Sequence, residues 1–226
     1  MTAPMQPTRI YLVRHGATNL TAEDRFSGWV GVDLSEDGRW QAARLGERLH
    51  RHGVDAAYCS PLSRTVETAT IVGARCGLTP THAPGLEEIS HGRWEGLTRH
   101  EVEEQYRDEY LAWEEDPFTF AHEGGESGVV VLARALPVIR GIVKKHPGQR
   151  VLVVSHKATI RLLLCSLLGV DARGYRDTLD QAPACLNVLD FRDPVHARLM
   201  LFNDTSHYSE RPRIPTQNLS KWWDQS

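Results

Sequence analysis

A chain of 226 residues with 41% hydrophobic and 24% charged residues is long enough to bury a sizeable core, as one large domain or two small ones. Its formal net charge of −3 argues against a nucleic-acid partner, because proteins that bind nucleic acids usually carry an excess of basic residues. The sequence holds no apolar run of about 18 residues and no basic-then-apolar leader, so it predicts neither a transmembrane helix nor a membrane partner.

The first half of the chain alternates predicted strands and helices. An apolar strand covers residues 9–13 and ends at the triplet RHG, and a weaker strand covers residues 55–60. The helix between them begins after Ser35, a residue type that favours the N-cap, and stops at Gly53. A second helix follows in SRTVETATIVGARCG, and its predicted apolar face consists of Val66, Ala69, Gly73 and Cys76.

The second half of the chain continues this alternation. A strand rich in valine covers residues 150–154, and the nearly all-apolar stretch ATIRLLLCSLLG predicts a buried helix that ends at Gly169. Two further strands, at 185–191 and 197–203, are joined by RDPVH and predict a hairpin. This order of elements predicts an α/β fold, with a mostly parallel central sheet between two helical layers in a three-layer α/β/α sandwich.

Residues 86–128 differ from the rest of the sequence and are here named the lid segment. They are rich in charged residues, contain Trp94 and Trp113, and end in HEGGESG. We interpret them as an insertion of loops and one or two helices that covers a site. The two tryptophans are expected to pack in the interior rather than stack on a substrate, as most buried tryptophans do.

The whole chain, residues 1–226, is expected to form a single domain. Its core is predicted at about 9–208, and residues 209–226 form a polar C-terminal tail that carries the pair Trp222–Trp223. The sequence does not determine the oligomeric state, and a homodimer is one alternative.

The cysteines and histidines predict neither disulfides nor a bound cofactor. The cysteines are widely separated and form no CxxC pair, which is typical of free thiols in a cytoplasmic protein; they are Cys59, Cys76, Cys165 and Cys185. The eleven histidines include no HExxH motif and no cluster with carboxylates, so no metal site is expected.

Polar clusters follow three of the predicted strands: RHG, SPLSR and SHK. In open α/β sheets, ligands bind beyond the carboxyl ends of the strands, so these clusters are expected to meet. A phosphate monoester carries roughly −1.5 to −2 charges and needs converging donors. The guanidinium forks of Arg14 and Arg64 suit its oxygens, and His156 adds a third donor at the start of a helix, whose free N–H groups favour an anion.

Five motifs in sequence order resemble the histidine phosphatase superfamily, which includes the cofactor-dependent phosphoglycerate mutases. They are RHGAT, SPLSRTVETA, LEEISHGRWEGLT, GGES and VVSHKATIR. LFNDTSHY, at residues 201–208, is similar to a late segment of the phosphatase members. The resemblance covers about residues 9–208. One such motif is a weak signal, but five in the same order are a specific one.

The resemblance implies a catalytic role for two residues. His15, the histidine of RHG, would be the nucleophile that accepts the phosphoryl group as a phosphohistidine. Glu88 of LEEIS stands where the family has its general acid, and the adjacent Glu87 is the alternative. Arg14, Arg64 and His156 would bind the phosphate and supply the positive charge that a metal ion supplies elsewhere, so no cofactor is expected.

This chain departs from the family pattern at three places that bear on substrate choice. Thr21 stands in a position where the family often has an Asn, and its hydroxyl could still contact the phosphate. Lys157 replaces the usual glycine after the second histidine; it either turns inward, which favours a substrate with a second anionic group, or extends outward. The segment 99–128 is short and acidic, whereas the mutases carry a longer insertion with a basic cluster. Its two arginines include Arg99, a further candidate for substrate binding.

These features predict a metal-independent phosphatase for a phosphorylated sugar, a glycerate or a related small metabolite. The acidic lid segment argues against the main alternative, a phosphoglycerate mutase, because retaining a bisphosphorylated intermediate needs more positive charge. A protein phosphatase and a phosphate-binding module without turnover are two further alternatives. At the residue level, Arg64 could instead form a surface ion pair with Glu67, three residues further on.

Overall fold

The structure, a computed structural model, describes residues 6–22 and 25–209; the pair Trp222–Trp223 lies outside this range, and the side chain of Thr21 is not described. One sheet has six strands in the order β3-β2-β4-β1-β5-β6. The strands are β1 (Thr8–Arg14), β2 (Ala56–Cys59), β3 (Thr81–His82), β4 (Arg150–Ser155), β5 (Leu186–Phe191) and β6 (Ala197–Asp204).

The sheet is mostly parallel, as predicted. β1, β2, β3 and β4 run parallel to one another, whereas β5 pairs antiparallel with both β1 and β6. The central strands β1 and β4 are buried on both faces, which explains why they consist of continuous apolar runs rather than alternating ones. The predicted hairpin is confirmed by the pairing of β5 with β6.

Helices cover both faces of the sheet and complete the predicted three layers. The α-helices are α1 (Asn19–Ala22), α2 (Glu36–His52), α3 (Ser63–Cys76), α4 (Arg99–Gln105), α5 (Arg107–Glu115), α6 (Gly128–Lys145), α7 (Lys157–Leu168) and α8 (Tyr175–Thr178). α2 and α3 pack on one face, and α6 and α7 pack on the other. Ser35 caps α2 as predicted, because its hydroxyl accepts a hydrogen bond from the N–H of Gly38 at 3.1 Å.

Four of these elements were not predicted from the sequence: the short helices α1 and α8, the long helix α6, and β3. α6 contains a run of three valines and Pro137, which obscure its helical periodicity, and β3 is only two residues long. The predicted apolar face of α3 was also partly wrong. Val66 and Cys76 are only half-buried, whereas the polar residues Thr65 and Thr68 are buried.

The lid segment contains α4, α5 and a single turn of 3-10 helix at Gly92–Trp94. Trp94 and Trp113 are buried there with ring centroids 5.7 Å apart, so the expectation of interior packing is confirmed. Phe26, from the loop that follows α1, packs against both rings. Within the described ranges, no helix is long and apolar enough to cross a membrane.

Candidate active site

The site lies at the carboxyl edge of the sheet, where three neighbouring strands end. Because β2, β4 and β1 are adjacent, the residues that follow them, Ser60, His156 and His15, are brought together. The rings of His15 and His156 have centroids 5.3 Å apart. The expectation that the strand-end clusters meet is therefore confirmed.

His15 is held as a neutral imidazole with one defined tautomer. Its Nδ1 lies 2.7 Å from the carbonyl oxygen of Gly16, and since a carbonyl can only accept, Nδ1 carries the proton. Burial lowers the pKa of His15 well below 6.5, and the charges of Arg64 and Arg14 lower it further. Nε2 therefore keeps its lone pair at neutral pH, which is the form that a nitrogen nucleophile requires.

Arg14 and Arg64 are buried beside His15 and are oriented by backbone carbonyls. Arg14 donates from Nη1 to the carbonyl oxygen of Gln181 at 2.7 Å. Arg64 donates from Nη2 to Gly28 O at 2.7 Å and from Nη1 to Val30 O at 3.1 Å. A carbonyl fixes a guanidinium without neutralising it, so the positive charge of Arg64 stays available to an anion.

The Arg64 side chain does not form the ion pair with Glu67 that the sequence left open. Glu67 instead pairs with Arg39 at 2.6 Å on the surface of the molecule. Arg64 is 1% exposed, and its Nε has no hydrogen-bond partner in the protein. Burial lowers the pKa of its guanidinium, the nearby charge of Glu88 opposing this effect. A buried cation with an unused donor is a strong indication of an anionic ligand.

His156 presents a second unused donor position in the same cavity wall. Its Nε2 lies 2.8 Å from the hydroxyl oxygen of Ser60, and its Nδ1 is buried without a hydrogen-bond partner. Burial lowers the pKa of His156 well below 6.5, and the charges of Arg64 and His15 lower it further. When the Ser60 hydroxyl donates to Nε2, Nδ1 carries the remaining N–H and can donate to a phosphate oxygen.

Glu88 occupies the N-terminus of α7. Its Oε1 accepts from the backbone N–H of Ile89 at 3.0 Å, of Ala158 at 3.2 Å and of Thr159 at 3.3 Å. The first amides of α7 were expected to face the phosphate, but in the structure they hold this carboxylate, which the helix dipole favours as it would any anion. Glu88 is thereby fixed within the Coulombic range of Arg64.

Arg134, on α6, braces the loop that carries Glu88. It donates to the carbonyl oxygens of Gly85, Glu87 and Glu88, each at 2.9 Å. It also forms a two-pronged ion pair with Glu126, with distances of 2.9 and 2.7 Å. The Glu87 carboxylate lies 3.7 Å from Arg134 and accepts from Gly85 N, so it belongs to this brace. This arrangement favours Glu88 over Glu87 as the carboxylate of the site.

The three further candidates from the sequence have different surroundings. Lys157 lies 3.7 Å from the carboxylate of Asp180. Arg99 lies in the lid segment, 3.8 Å from Glu114 and over the ring of Trp113 at 5.5 Å. The Thr21 side chain lies outside the described part of the chain.

Sequence reasoning missed Arg134, Ser60 and Gln181. Ser60 is the first residue of SPLSR, so its position directly after a strand was a usable signal. The glutamate of GGES, Glu126, was quoted only as part of a motif, and its partner Arg134 lies eight residues further on. Gln181 acts through its backbone carbonyl, which no residue type signals.

The arrangement can bind a phosphoryl group beside a nucleophile. Two guanidinium groups and one imidazole N–H converge near a neutral imidazole with a free lone pair. In residues 6–22 and 25–209, no three His, Cys, Asp or Glu side chains are grouped so that they could hold a metal ion.

Comparison with known proteins gives matches over most of the chain. A family model described as histidine phosphatase superfamily, branch 1, matches residues 10–205. The chain is 37% identical over 163 residues to a protein of Hydrogenobacter thermophilus named phosphoserine phosphatase 1, and the alignment covers 72% of this chain and 77% of the relative. It is 34% identical over 172 residues to glucosyl-3-phosphoglycerate phosphatase of Mycobacterium tuberculosis, and this alignment covers 73% of the chain and 77% of the relative.

Among solved structures, YhfR of Bacillus stearothermophilus superposes with a TM-score of 0.83 at 30% identity. The superposition covers 88% of this chain and 98% of the other. The similarity in sequence and the similarity in structure therefore each cover most of the chain.

Proposed function

The chain belongs to the histidine phosphatase superfamily and is a phosphoric monoester hydrolase, and we propose that it hydrolyses a small phosphorylated metabolite through a phosphohistidine on His15. One observation carries this proposal. The hydrogen bond from His15 Nδ1 to Gly16 O, together with the lowered pKa, leaves Nε2 unprotonated within the electrostatic influence of two buried arginines. A buried imidazole with an unprotonated Nε2 can attack the phosphorus of a phosphate ester that is bound beside it.

In the first step, the lone pair of His15 Nε2 attacks phosphorus and forms the P–N bond. The ester P–O bond breaks, and its electron pair goes to the leaving oxygen, which takes a proton from Glu88; the carboxyl holds this proton because the anionic phosphate is bound beside it. Arg14 and Arg64 bind the non-bridging oxygens, and the Nδ1–H of His156 is the third donor. Their charge replaces that of a metal ion, so we propose that no metal is required.

In the second step, water attacks the phosphorus of the phosphohistidine. Glu88, now ionised, accepts the proton of this water, the P–N bond breaks, and His15 recovers its neutral form. Inorganic phosphate leaves, and the proton on Glu88 restores the starting state. The same carboxylate thus serves as acid and then as base, which requires that its loop hold it in one position throughout.

The substrate that we propose is a phosphorylated sugar, a glycerate or a related metabolite. Two relatives named for phosphoserine and for glucosyl-3-phosphoglycerate support a small, polar leaving group. Hydrolysis rather than mutase activity is supported by the acidic character of residues 99–116, where Arg99 and Arg107 are the only arginines. Such a segment is poorly suited to retain a bisphosphorylated intermediate.

The test is phosphate release by EDTA-treated protein from a panel of phosphorylated metabolites, combined with trapping of the phosphoenzyme. We expect wild type to release phosphate and to form an acid-labile, alkali-stable phosphoenzyme. His15→Ala should lose at least about 1000-fold in kcat, because a covalent nucleophile is removed. His100→Ala, which changes an exposed histidine of the lid segment, is the matched control and should behave as wild type.

Residual activity of His15→Ala within about tenfold of wild type would exclude His15 as the nucleophile. Isomerisation of 3-phosphoglycerate with little phosphate released, in the presence of a bisphosphate cofactor, would show a mutase instead. Complete loss of activity in EDTA, restored by a divalent metal, would contradict the metal-independent mechanism.

A further inference from the structure

The loop that precedes α2 contacts both the phosphate-binding arginine and the proposed acid. Residues 28–30 of this loop are here named the Trp29 segment. The two carbonyl oxygens that flank Trp29 in the chain accept the hydrogen bonds of Arg64. The indole Nε1 of Trp29 donates to the backbone carbonyl oxygen of Glu88 at 2.7 Å. Three consecutive residues therefore connect a group that binds the phosphoryl oxygens to the group that protonates the leaving oxygen.

The Trp29 segment is also fixed to the lid segment through Glu95. The backbone N–H of Trp29 donates to Glu95 Oε1 at 3.0 Å, and the same oxygen accepts from the N–H of His91 at 3.1 Å. Gly28 has a φ of +39°, and a Cβ at this position would lie 1.9 Å from Glu95 Oε1. Glycine thus permits a close approach that holds the segment in one place.

Interior packing does not explain the position of the Trp29 ring. Trp29 is 48% exposed, whereas Trp94 and Trp113 are buried in the lid segment. A large ring that stays half in water contributes less apolar burial than an interior one. The contact with Glu88 uses the N–H, which an indole offers and a phenyl ring lacks. The hydrogen bond is therefore the feature that distinguishes tryptophan from phenylalanine at this position.

Two donors fix the backbone of Glu88 at the same atom. Its carbonyl oxygen accepts from Trp29 Nε1 and from Arg134 Nη2, the latter at 2.9 Å, and a carbonyl oxygen has two lone pairs. The phosphoryl group is placed by Arg64, so the distance from the phosphate to the acid depends on how the two are linked. Arg134 fixes the Glu88 loop to α6, whereas Trp29 fixes it to the carbonyls that orient Arg64.

We propose that Trp29 is a positioning residue, which holds Glu88 at a defined place relative to the phosphoryl group bound by Arg64. The proposal deepens the proposed function and rests on it, because it takes Glu88 as the acid. Trp29 touches no reacting atom in this account and acts through the backbone of Glu88. Its N–H therefore matters for protonation of the leaving oxygen, but not for attack by His15 or for binding of phosphate.

The experiment compares kcat/KM for benzyl phosphate and p-nitrophenyl phosphate in wild type and in Trp29→Phe. The benzyl alkoxide needs a proton in order to leave, whereas nitrophenolate leaves without one. Both substrates carry an aromatic ring, so any contact of that ring with residue 29 affects both. We expect Trp29→Phe to lose about fivefold or more with benzyl phosphate, the effect of one hydrogen bond, and to stay within about twofold with p-nitrophenyl phosphate.

Three controls isolate the N–H of Trp29. Replacing Trp29 with 3-benzothienylalanine, which has sulfur in place of the N–H and nearly the same shape, should reproduce the loss with benzyl phosphate. Trp40→Phe changes a tryptophan of α2 that is 52% exposed and should keep the wild-type values for both substrates. The inhibition constant of inorganic phosphate should stay within about twofold in Trp29→Phe, because the carbonyls that orient Arg64 belong to the backbone.

Three results would overturn the positioning role. Equal losses with both substrates in Trp29→Phe would mean that Trp29 acts on the phosphate site or on the fold. Wild-type hydrolysis of benzyl phosphate by the benzothienyl variant would mean that the hydrogen bond does not position Glu88. A wild-type enzyme that hydrolyses p-nitrophenyl phosphate but no ester with an alkoxide leaving group would have no acid to position. Failure of wild type to release phosphate from any compound would instead overturn the proposed function itself.

Discussion

The strand-end site and the lid segment both contain arginines, but the two regions hold them with different groups. In the site, the described hydrogen bonds of Arg64 run to the backbone carbonyls of Gly28 and Val30. In the lid segment, Arg93 pairs with the carboxylates of Glu109 and Glu123. The same side chain is therefore held by neutral acceptors in one region and by anions in the other.

The difference shows that a guanidinium can be oriented without having its charge neutralised. A carboxylate satisfies a guanidinium and cancels its charge, so the pair is complete and contributes packing and modest stability. A carbonyl fixes the geometry and leaves the charge; burial lowers the pKa of His15, and the charge of Arg64 lowers it further. Between Arg64 and Arg93, the type of acceptor thus distinguishes an arginine whose charge is kept from one whose charge is cancelled.

Among the arginine substitutions, the largest expected effect comes from Arg64→Lys, which keeps the charge but removes the planar guanidinium. A lysine cannot contact two carbonyls and a phosphate with the same planar geometry, so kcat/KM should fall by at least about 100-fold. Steady-state kinetics with p-nitrophenyl phosphate measures this loss. Arg93→Lys, in the lid segment, is the matched control and should change kcat/KM by less than about threefold. Equal losses in both variants would break the distinction between the two regions.

Arg134 uses both kinds of acceptor, and its substitution should affect the acid step selectively. Arg134→Lys loses most of the contacts to the three carbonyls of the Glu88 loop and should reduce kcat/KM about tenfold for an alkyl phosphate, whose leaving group needs a proton. The loss for p-nitrophenyl phosphate should be clearly smaller, because nitrophenolate departs without protonation. Parallel losses for both substrates would show that the brace does not act through Glu88.

Histidines with a lowered pKa occur in both regions, and His91, in the lid segment, is expected to affect stability alone. Burial lowers the pKa of His91 from 6.5 to about 3. Below pH 6.5 the unfolded chain binds a proton that the folded chain does not, so stability present above 6.5 is lost as the pH falls towards 3. The slope is about 1.4 kcal/mol per pH unit for this one group.

His91→Phe removes this titration while keeping an aromatic ring beside Phe26. Denaturant unfolding at pH 7.0, 6.0 and 5.5 should show a shallower loss of free energy than in wild type. His100→Gln, at an exposed position, should leave the pH dependence unchanged. A wild-type slope in His91→Phe would mean that other buried groups account for the acid sensitivity.

The sequence predicted the parts of the molecule that depend on local pattern. Continuous apolar runs identified β1 and β4, and Ser35 identified the start of α2, because burial on both faces and N-capping each demand particular residue types. The motifs at the strand ends placed His15 and His156 in one site, since parallel strands bring their carboxyl ends to one edge.

The contacts that depend on the backbone could not be predicted in the same way. Thr68 is buried in α3 because its hydroxyl donates to Arg64 O at 2.7 Å and accepts from Gly16 N at 3.1 Å. A polar residue on an apolar face gives no such signal in advance. The carbonyls that orient Arg14 and Arg64 likewise cannot be identified from residue types in the sequence.

The smallest expected effect comes from a substitution of Arg99, which tests whether a lid-segment arginine beside a carboxylate takes part in substrate binding. The sequence singled it out for substrate binding, but it lies beside Glu114 and over Trp113. If an arginine beside a carboxylate is already neutralised, Arg99→Gln should change KM by less than about twofold for phosphoserine and for p-nitrophenyl phosphate. A KM increase of tenfold for the carboxylate substrate alone would assign Arg99 to substrate binding. The nature of the acceptor would then no longer separate binding arginines from packing ones.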